Sequence, residues 1–351
     1  VFATLVVGVA KLGDIKAVGR IGGKTMLWFI SASFVSLLLG ALLVNFFEPG
    51  NMMQLELPAA DAKTGIDAGA MSLKGVLTHI FPKSVIEAMA HNEILQIVVF
   101  SLFFGTACAS MGEKANSLVK ALDSLGHVML KITGYVMNFA PVAVFSAMTV
   151  VVAKKGLSVL YSYGIFIGEF YLGLILLWTL LIGVAFLLVK KQVLTLIRRI
   201  REPLLLAFST ASSEAAFPKT LEDLERFGCP NRIVSFVLPL GYSFNLDGSM
   251  MYMTFASLFI AQSYGIELTT SEQLTMLLVL MITSKGIAGV PRASLVVIAG
   301  TLSSFGIPEA GLLLLLGIDH LLDMGRSATN VVGNAVATVA VSKWENKHKQ
   351  E

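Results

Sequence analysis

The sequence predicts an all-α polytopic membrane protein, and three observations carry that expectation. Its 351 residues are 55% hydrophobic and 14% charged with a mean hydropathy of +0.77, too apolar for a water-soluble globule. Apolar runs at Met26–Phe47, Ile94–Met111, Val136–Ala153 and Leu157–Val189 reach the roughly 18–25 residues that cross a bilayer as a helix. Further on, shorter apolar arms pair around polar tips, which no water-soluble bundle requires. The run Leu157–Val189 exceeds a perpendicular span, so it should tilt or extend past the hydrocarbon.

The chain opens inside an apolar segment, Val1–Ala10, with no initiator methionine, basic leader or cleavage signal. One helix and most of a second are therefore expected to precede Val1. Lys11, Lys16, Arg20 and Lys24 form one basic cluster, Lys190, Lys191, Arg198, Arg199 and Arg201 a second, and Lys343, Lys347 and Lys349 a third. The segment Glu48–Lys74 carries four acids against two lysines. Positive charge marks the cytoplasmic side, so the three clusters are expected inside and Glu48–Lys74 outside, as a polar loop without periodicity. The net charge of +3 comes with no basic tract, so nucleic acid is not an expected partner. Cys108 and Cys229 lie far apart and lack the spacing of metal ligands.

The second half departs from simple spans. An apolar helical pattern from Pro203 runs into Ser209-Thr210-Ala211-Ser212-Ser213-Glu214 and resumes through Thr220–Phe227. Another, from Gln273, runs into Ser284-Lys285-Gly286-Ile287-Ala288-Gly289-Val290-Pro291-Arg292-Ala293-Ser294 and resumes through Leu295–Leu302. Two short arms around a Ser/Gly/Pro tip describe a re-entrant hairpin, whose non-helical tip must be buried in protein or line an aqueous cavity. Between the two, Tyr242–Ser249 interrupts the apolar stretch Ile233–Ile260. Gly248 permits unwinding there, and Asn245 and Asp247 offer hard oxygens beside freed carbonyls. Paired interrupted segments of this kind point to a transporter's midplane site.

The C-terminal segment Ala310–Val341 is apolar except for Asp319, Asp323, Arg326 and Asn330, spaced four, three and four apart. Residues so spaced share one helix face. Charges at mid-membrane cost a few kcal/mol each and face a cavity or partner rather than lipid. A stripe with two carboxylates, a guanidinium and a carboxamide suits a small charged solute. An Arg326–Asp323 bridge that merely neutralises itself is the competing reading.

The serine-rich tip Ser209–Glu214, the break Asn245-Leu246-Asp247-Gly248-Ser249, the tip Gly286–Pro291 and the helix Asp319–Asn334 together resemble the glutamate transporter family, the dicarboxylate/amino acid:cation symporters. Alignable helices run from Val1 to Trp344, and the chain is most similar to bacterial proton/glutamate–aspartate symporters. The resemblance implies a glutamate-transporter-like fold, truncated at its N-terminus, in a homotrimer of the inner membrane. A static scaffold would hold a transport domain that moves like an elevator. On this pattern residues 1–24 are the remainder of a scaffold helix and a cytoplasmic junction, and 25–47 a transport-domain helix. Residues 48–153 hold the extracellular loop and trimerisation helices. Residues 154–351 form the transport domain, with hairpin 1 at about 200–228, a broken helix at about 231–263, hairpin 2 at about 271–305 and a C-terminal helix at about 308–344.

The resemblance also implies roles. Arg326 would grip the solute's side-chain carboxylate, for which a planar two-pronged donor is suited. Asp323 would meet the α-ammonium group, while Asn330, Ser213 and the amides around Val290 would hold the α-carboxylate. Ser327 stands where many members have threonine; Ser212 and Ser249 complete the binding set. Gly286, Gly289, Pro291 and Arg292 would form the gate. Branches that carry C4-dicarboxylates typically lack a carboxylate at the Asp323 position, so its presence favours glutamate or aspartate.

Coupling departs from the sodium-driven pattern. Asn334 stands where that pattern has aspartate, and Phe29, Ala32 and Ser33 stand for Tyr, Thr and Ser, leaving one of three oxygens. Lys285 sits where hairpin carbonyls would ring a cation, and a nearby ammonium repels Na⁺ by several kcal/mol. The expectation is proton coupling through Asp247, Asp319 or Glu214, with Asn245 beside them, and no other cofactor; Na⁺ coupling is the alternative. Glu214 has a rival reading as a water-facing polar tip residue. Arg292 is expected to pair with Glu214 across the closed gate, or else to point to water. His79, His91 and His127 are read as solvated loop or helix-end residues, Met250, Met251 and Met253 as packing or lipid-facing groups, and Asn138–Pro141 as a helix kink. No histidine or cysteine accompanies the serines, which argues against an intramembrane enzyme. A passive anion channel would not need an ammonium-and-carboxylate recognition pair.

Overall fold

The computed structural model describes residues 2–12, 15–52, 57–59, 62, 64, 83–91, 94–137, 142, 149, 163–285 and 293–348. Among these there is no strand. The helices in chain order are α1 (Phe2–Leu12), α2 (Ile15–Phe47), α3 (Pro49–Met52), α4 (Val85–Ala90), α5 (Ile94–Met111), α6 (Asn116–Met137) and α7 (Gly164–Val189). They continue with α8 (Val193–Thr210), α9 (Phe217–Phe227), α10 (Asn231–Phe244), α11 (Asp247–Ser263), α12 (Thr270–Thr283), α13 (Ala293–Ser304), α14 (Leu312–Leu316) and α15 (Asp319–His348). The Asn138–Pro141 kink, the Gly286–Arg292 tip and most of the Glu48–Lys74 loop lie outside the described residues.

Among the described residues three stretches, Lys16–Met52, Gln96–Met129 and Gly164–Thr210, are long and apolar enough to cross a membrane, and most of the expected span Val136–Ala153 lies outside those residues. Burial agrees with that solvent. Leu27, Leu42 and Phe46 on α2 and Ile175, Leu180 and Leu187 on α7 are exposed, whereas Arg326 is 1% exposed. Apolar outside and charged inside reverses the arrangement of a water-soluble protein. The chain is a multi-pass membrane protein.

α11 is the centre of the molecule. All its residues from Asp247 to Ala261 are buried, and it packs against α2, α15, α3, α13 and α12. Close approach to α2 is possible because Gly40 has no side chain: a Cβ there would lie 2.6 Å from the Met251 carbonyl oxygen. Gln262 ties the far end, donating to the Val44 carbonyl at 3.1 Å and accepting from the Gly50 amide at 3.2 Å. Met250, Met251 and Met253 are all fully buried, so they pack within the protein rather than facing lipid.

Several boundaries differ from the expected ones. α2 begins at Ile15 rather than near residue 25: the helix runs on through Gly22-Gly23, with Arg20 and Lys24 held by Glu345 of α15. α8 begins at Val193 rather than near 200: Val193, Leu196, Ile200, Pro203 and Ala207 form a buried face at helical spacing, and Arg198, Arg199 and Arg201 occupy the exposed one. The C-terminal segment is not one helix from about 308 but a 3₁₀ turn, α14, a break at Gly317–Ile318, and then α15. His127 lies within α6 and is exposed, not at a helix end.

The basic junction of α2 is clamped to the last turns of α15. Lys24 Nζ donates to Glu345 Oε2 at 3.0 Å and to the Trp344 carbonyl at 3.1 Å, and Arg20 donates to Glu345 through Nε and Nη2. Trp28 meets Trp344 edge-on at 5.8 Å between ring centroids. Beyond the apolar part of α15, the Arg20 hydrogen bonds, reinforced by Lys24, lower the Glu345 carboxyl from 4.5 to about 2. A carboxylate depressed on folding stabilises above its unfolded pKa and loses that contribution as pH falls through the folded value. Glu345→Gln should therefore cost about 1–2 kcal/mol near neutral pH, reduced because Arg20 and Lys24 are partly solvated. It should also flatten the loss of stability between pH 4.5 and about 2. Thermal unfolding at neutral pH and across that window checks both, and an unchanged profile would show the clamp to be idle.

Candidate functional site

The site grows out of two broken helices that meet. α10 ends at Phe244, Asn245 and Leu246 are non-helical, and α11 starts at Asp247. In an unbroken helix the Gly248 amide would bond the Phe244 carbonyl four residues back. Here it donates instead to Asn330 Oδ1 at 2.9 Å, and the Ser249 amide follows at 3.3 Å. Asn330 Nδ2 donates to Ser249 Oγ at 3.2 Å. One carboxamide from α15 thus satisfies the first amides of α11, as side-chain caps do at helix starts generally. The fit depends on Gly248, where any Cβ would run into the Arg326 backbone.

One helical turn before Asn330 on α15, Arg326 is enclosed. Its Nε donates to Asp323 Oδ1 at 2.7 Å, and its Nη1 lies 3.2 Å from Asp319 Oδ1 without a hydrogen bond in line. Tyr252 of α11 donates its hydroxyl to Asp319 Oδ1 at 3.1 Å and lays its ring 4.3 Å from the guanidinium carbon. Ser327 donates to Asp323 at 3.4 Å. The Asp323 side chain is 20% exposed against 2% for Arg326 and Asp319, so the wet side of the pair is its carboxylate. The internal salt bridge weighed from sequence does form. It leaves a fully buried guanidinium nitrogen with unmatched N–H groups, a costly state that an acceptor arriving from outside would relieve.

The serine tip closes this side. Ala211 ends α8 in the left-handed region at φ 48°, strained for a residue with a Cβ. The Ser212 amide returns to the Ala207 carbonyl at 3.2 Å, and Ser212 Oγ accepts from the Ala215 amide at 3.3 Å. Ser213 is buried; Glu214 is exposed, yet its charge acts on that of Asp323. Ser213 and Glu214 therefore lie near the Asp323–Arg326 pair, because α8 packs on α15 and Ala216, just past the tip, clusters with Val331.

A second cluster lies behind the break. Asp247, fully buried, accepts from Ser36 Oγ at 3.3 Å through Oδ1 and from Asn245 Nδ2 at 3.0 Å through Oδ2. Asn245 Nδ2 also donates to Asn334 Oδ1 at 3.3 Å. Asn245 Oδ1 and Asn334 Nδ2 are buried with no partner, so this cluster has one hydrogen-bond acceptor and one donor to spare. Lys285 reaches in from the end of α12, donating to Ser33 Oγ at 2.8 Å and to the Phe244 carbonyl at 2.7 Å. Among the described residues no three His, Cys, Asp or Glu side chains are grouped for a metal ion.

The residues named from sequence thus divide into two sets. Arg326, Asp323, Asp319 and Ser327 come together, with Ser213 and Glu214 nearby. Asn245, Asp247, Asn334 and Lys285 form the rear cluster, and Asn330 and Ser249 join the two. Val290, Gly286, Gly289, Pro291 and Arg292 lie outside the described residues, as does any Glu214–Arg292 pair. Sequence reasoning missed Tyr252, whose position one turn after Ser249 on a buried helix was the available signal. It also missed Ser36, and Tyr171 and Trp178 of α7. Tyr171 donates to the Leu321 carbonyl at 2.6 Å and Trp178 to Thr329 Oγ1 at 2.7 Å, tying α15 to α7. Nothing in an apolar span marks which aromatic will do this.

Comparison with known proteins shows the family. The model of the sodium:dicarboxylate symporter family matches residues 1–344. A C4-dicarboxylate transport protein of Laribacter hongkongensis is 42% identical over 351 residues, which cover 99% of this chain and 80% of the relative. A proton/sodium-glutamate symport protein of Geobacillus stearothermophilus is 40% identical, covering 100% and 85%. The proton/glutamate-aspartate symporter of Escherichia coli is 41% identical, covering 99% and 81%. Sequence similarity alone does not separate the two kinds of cargo, but with nearly its whole length matched, the chain belongs to the sodium:dicarboxylate symporter family.

Proposed function

We propose that the protein is a proton-coupled symporter that brings L-glutamate or L-aspartate into the cell across the bacterial inner membrane. It is a carrier and not an enzyme. One observation carries the reading: Arg326, buried with unmatched N–H groups, lies beside the partly exposed Asp323. The first suits a carboxylate of the solute and the second its ammonium. Arrival of the solute lets each charge exchange an internal partner for an external one, so binding replaces contacts rather than creating buried charge. Asn330 is already engaged with the start of α11, so its remaining N–H, with Ser213, would meet the α-carboxylate.

The two helix pairs α8–α9 and α12–α13 act as re-entrant hairpins in this reading, the second as the gate, in a homotrimer whose transport domain moves as an elevator. Proton coupling draws on Asn334 in place of a carboxylate and on the ammonium of Lys285 beside the rear cluster. Asp247, Asp319 and Glu214 are the candidate carriers. C4-dicarboxylate transport is the second reading, favoured by the identity to the Laribacter hongkongensis relative of that name.

Uptake by proteoliposomes separates the two. Uphill accumulation of L-glutamate or L-aspartate driven by an inward proton gradient is expected, with no requirement for sodium. Accumulation of succinate or malate alone would replace this proposal by the second, and downhill flux alone would indicate a channel. Asp323→Asn refines the test. It should weaken L-aspartate uptake about 10- to 100-fold, the effect of losing a charge-assisted contact of about 1.5–3 kcal/mol. Any flux of succinate should change less than about threefold, because that solute has no ammonium group to lose. Equal losses for both solutes would count against the ammonium role.

A further inference from the structure

The rear cluster holds a group that solute recognition does not use. Because the Gly248 amide turns to Asn330, the Phe244 carbonyl at the end of α10 lacks the helical donor it would otherwise have. Helix ends leave such carbonyls with partial negative charge and in need of a donor. Lys285 Nζ supplies it at 2.7 Å, and its other contact is Ser33 Oγ at 2.8 Å, on a serine that is fully buried. Asp247, at the start of the next helix, is the carboxylate whose charge acts on this ammonium. A carbonyl, a hydroxyl and a nearby carboxylate are the hard-oxygen surroundings that a small monovalent cation seeks.

We infer that the Lys285 ammonium is a tethered cation, filling the monovalent-cation position between Ser33 and the Phe244 carbonyl, near the Asp247 carboxylate, that a dissolved ion would otherwise occupy. The side chain brings the positive charge with the fold, so this position needs no ion from solution. It also fastens the end of α12 to α2 and to the broken helix through one side chain. The inference rests on the transport reading only for its functional sense; the chemistry of the position stands on the contacts themselves.

Truncating the side chain should empty the position and open it to ions. Thermal unfolding of the solubilised protein and of Lys285→Ala, each in choline, sodium, potassium and ammonium chloride and with no transported solute, reads this directly. The parent should unfold at one Tm in all four salts. Lys285→Ala should be less stable in choline and regain about 2–4 °C in at least one small cation, saturably. Coincident Tm values for the variant across the four salts, or a parent that responds as strongly, would overturn the inference. If Lys285→Ala is not recovered folded in choline, recovery in a small-cation salt supports the inference, and failure in every salt counts against it. Lys285→Met keeps most of the length without the charge, and should be destabilised and indifferent to salt. A methionine variant as stable as the parent would show the charge to be idle. Since no solute is present, failure here leaves the uptake proposal standing, and failure of uptake leaves this one standing.

Discussion

Arg326→Lys is expected to weaken solute uptake about 100-fold while leaving the protein folded. The substitution retains the charge that Asp319 and Asp323 require, and so avoids leaving two buried carboxylates unpaired. What it removes is the planar fork. Arg326 holds Asp323 through Nε and stands beside Asp319 through Nη1, with Tyr252 against its face. A lysine ammonium is a point charge that cannot hold an internal carboxylate and present a parallel pair of N–H groups to a solute at once. Loss of about 3 kcal/mol of charge-assisted bonding corresponds to the stated factor. Arg326→Gln, by contrast, should destabilise the fold itself by about 3–5 kcal/mol, the cost of stranding buried charge. Uptake kinetics and thermal unfolding of the two variants distinguish these effects. A lysine variant with half-saturation within threefold of the parent would remove Arg326 from solute binding.

Gly248→Ala should be nearly as damaging, through packing rather than charge. An added Cβ would meet the Arg326 carbonyl oxygen, and would lie 2.7 Å from the Arg326 Cα and 2.8 Å from the Thr329 Cβ. Two of these three neighbours are backbone atoms of α15, so relief requires moving one helix away from the other. Overpacking costs about 1–3 kcal/mol where flexible side chains can yield, and the upper end applies here. Moving α11 also breaks the bonds from the Gly248 and Ser249 amides to Asn330 and withdraws Tyr252 from Arg326. Loss of uptake together with a fall in Tm of several degrees is the expected result. A stable and active alanine variant would mean that the two helices are not as closely opposed as this.

How much of this was legible in advance varies by element. Apolar runs long enough to span announce themselves, because lipid rewards continuous hydrocarbon on a helix that satisfies its own backbone; Ile94–Met111 begins and ends where composition said. The break at Asn245–Leu246 and the stripe Asp319–Asn330 were visible because polar groups at membrane depth are conspicuous against an apolar background. The start of α8 was hidden by Arg198, Arg199 and Arg201, which read only as a cytoplasmic basic cluster until their opposite face is seen to be buried. The continuation of α2 through its basic residues was hidden likewise, since its partner Glu345 is 325 residues from Arg20.

The sequence by itself determined the class of the protein, its family, and the inventory of charged and polar groups placed among apolar helices. The class and the inventory follow from local composition and spacing, which need no knowledge of neighbours, and the family from the resemblance its motifs carry. Only the tertiary structure decided who meets whom: that Arg326 rests against Tyr252 between two carboxylates, that Asn330 starts a helix on another element, and that Lys285 fills the carbonyl freed by that start. Helical spacing fixes which side chains share a face. It is silent on the partner across it, because that partner is chosen by packing between segments whose separation along the chain leaves no periodic trace.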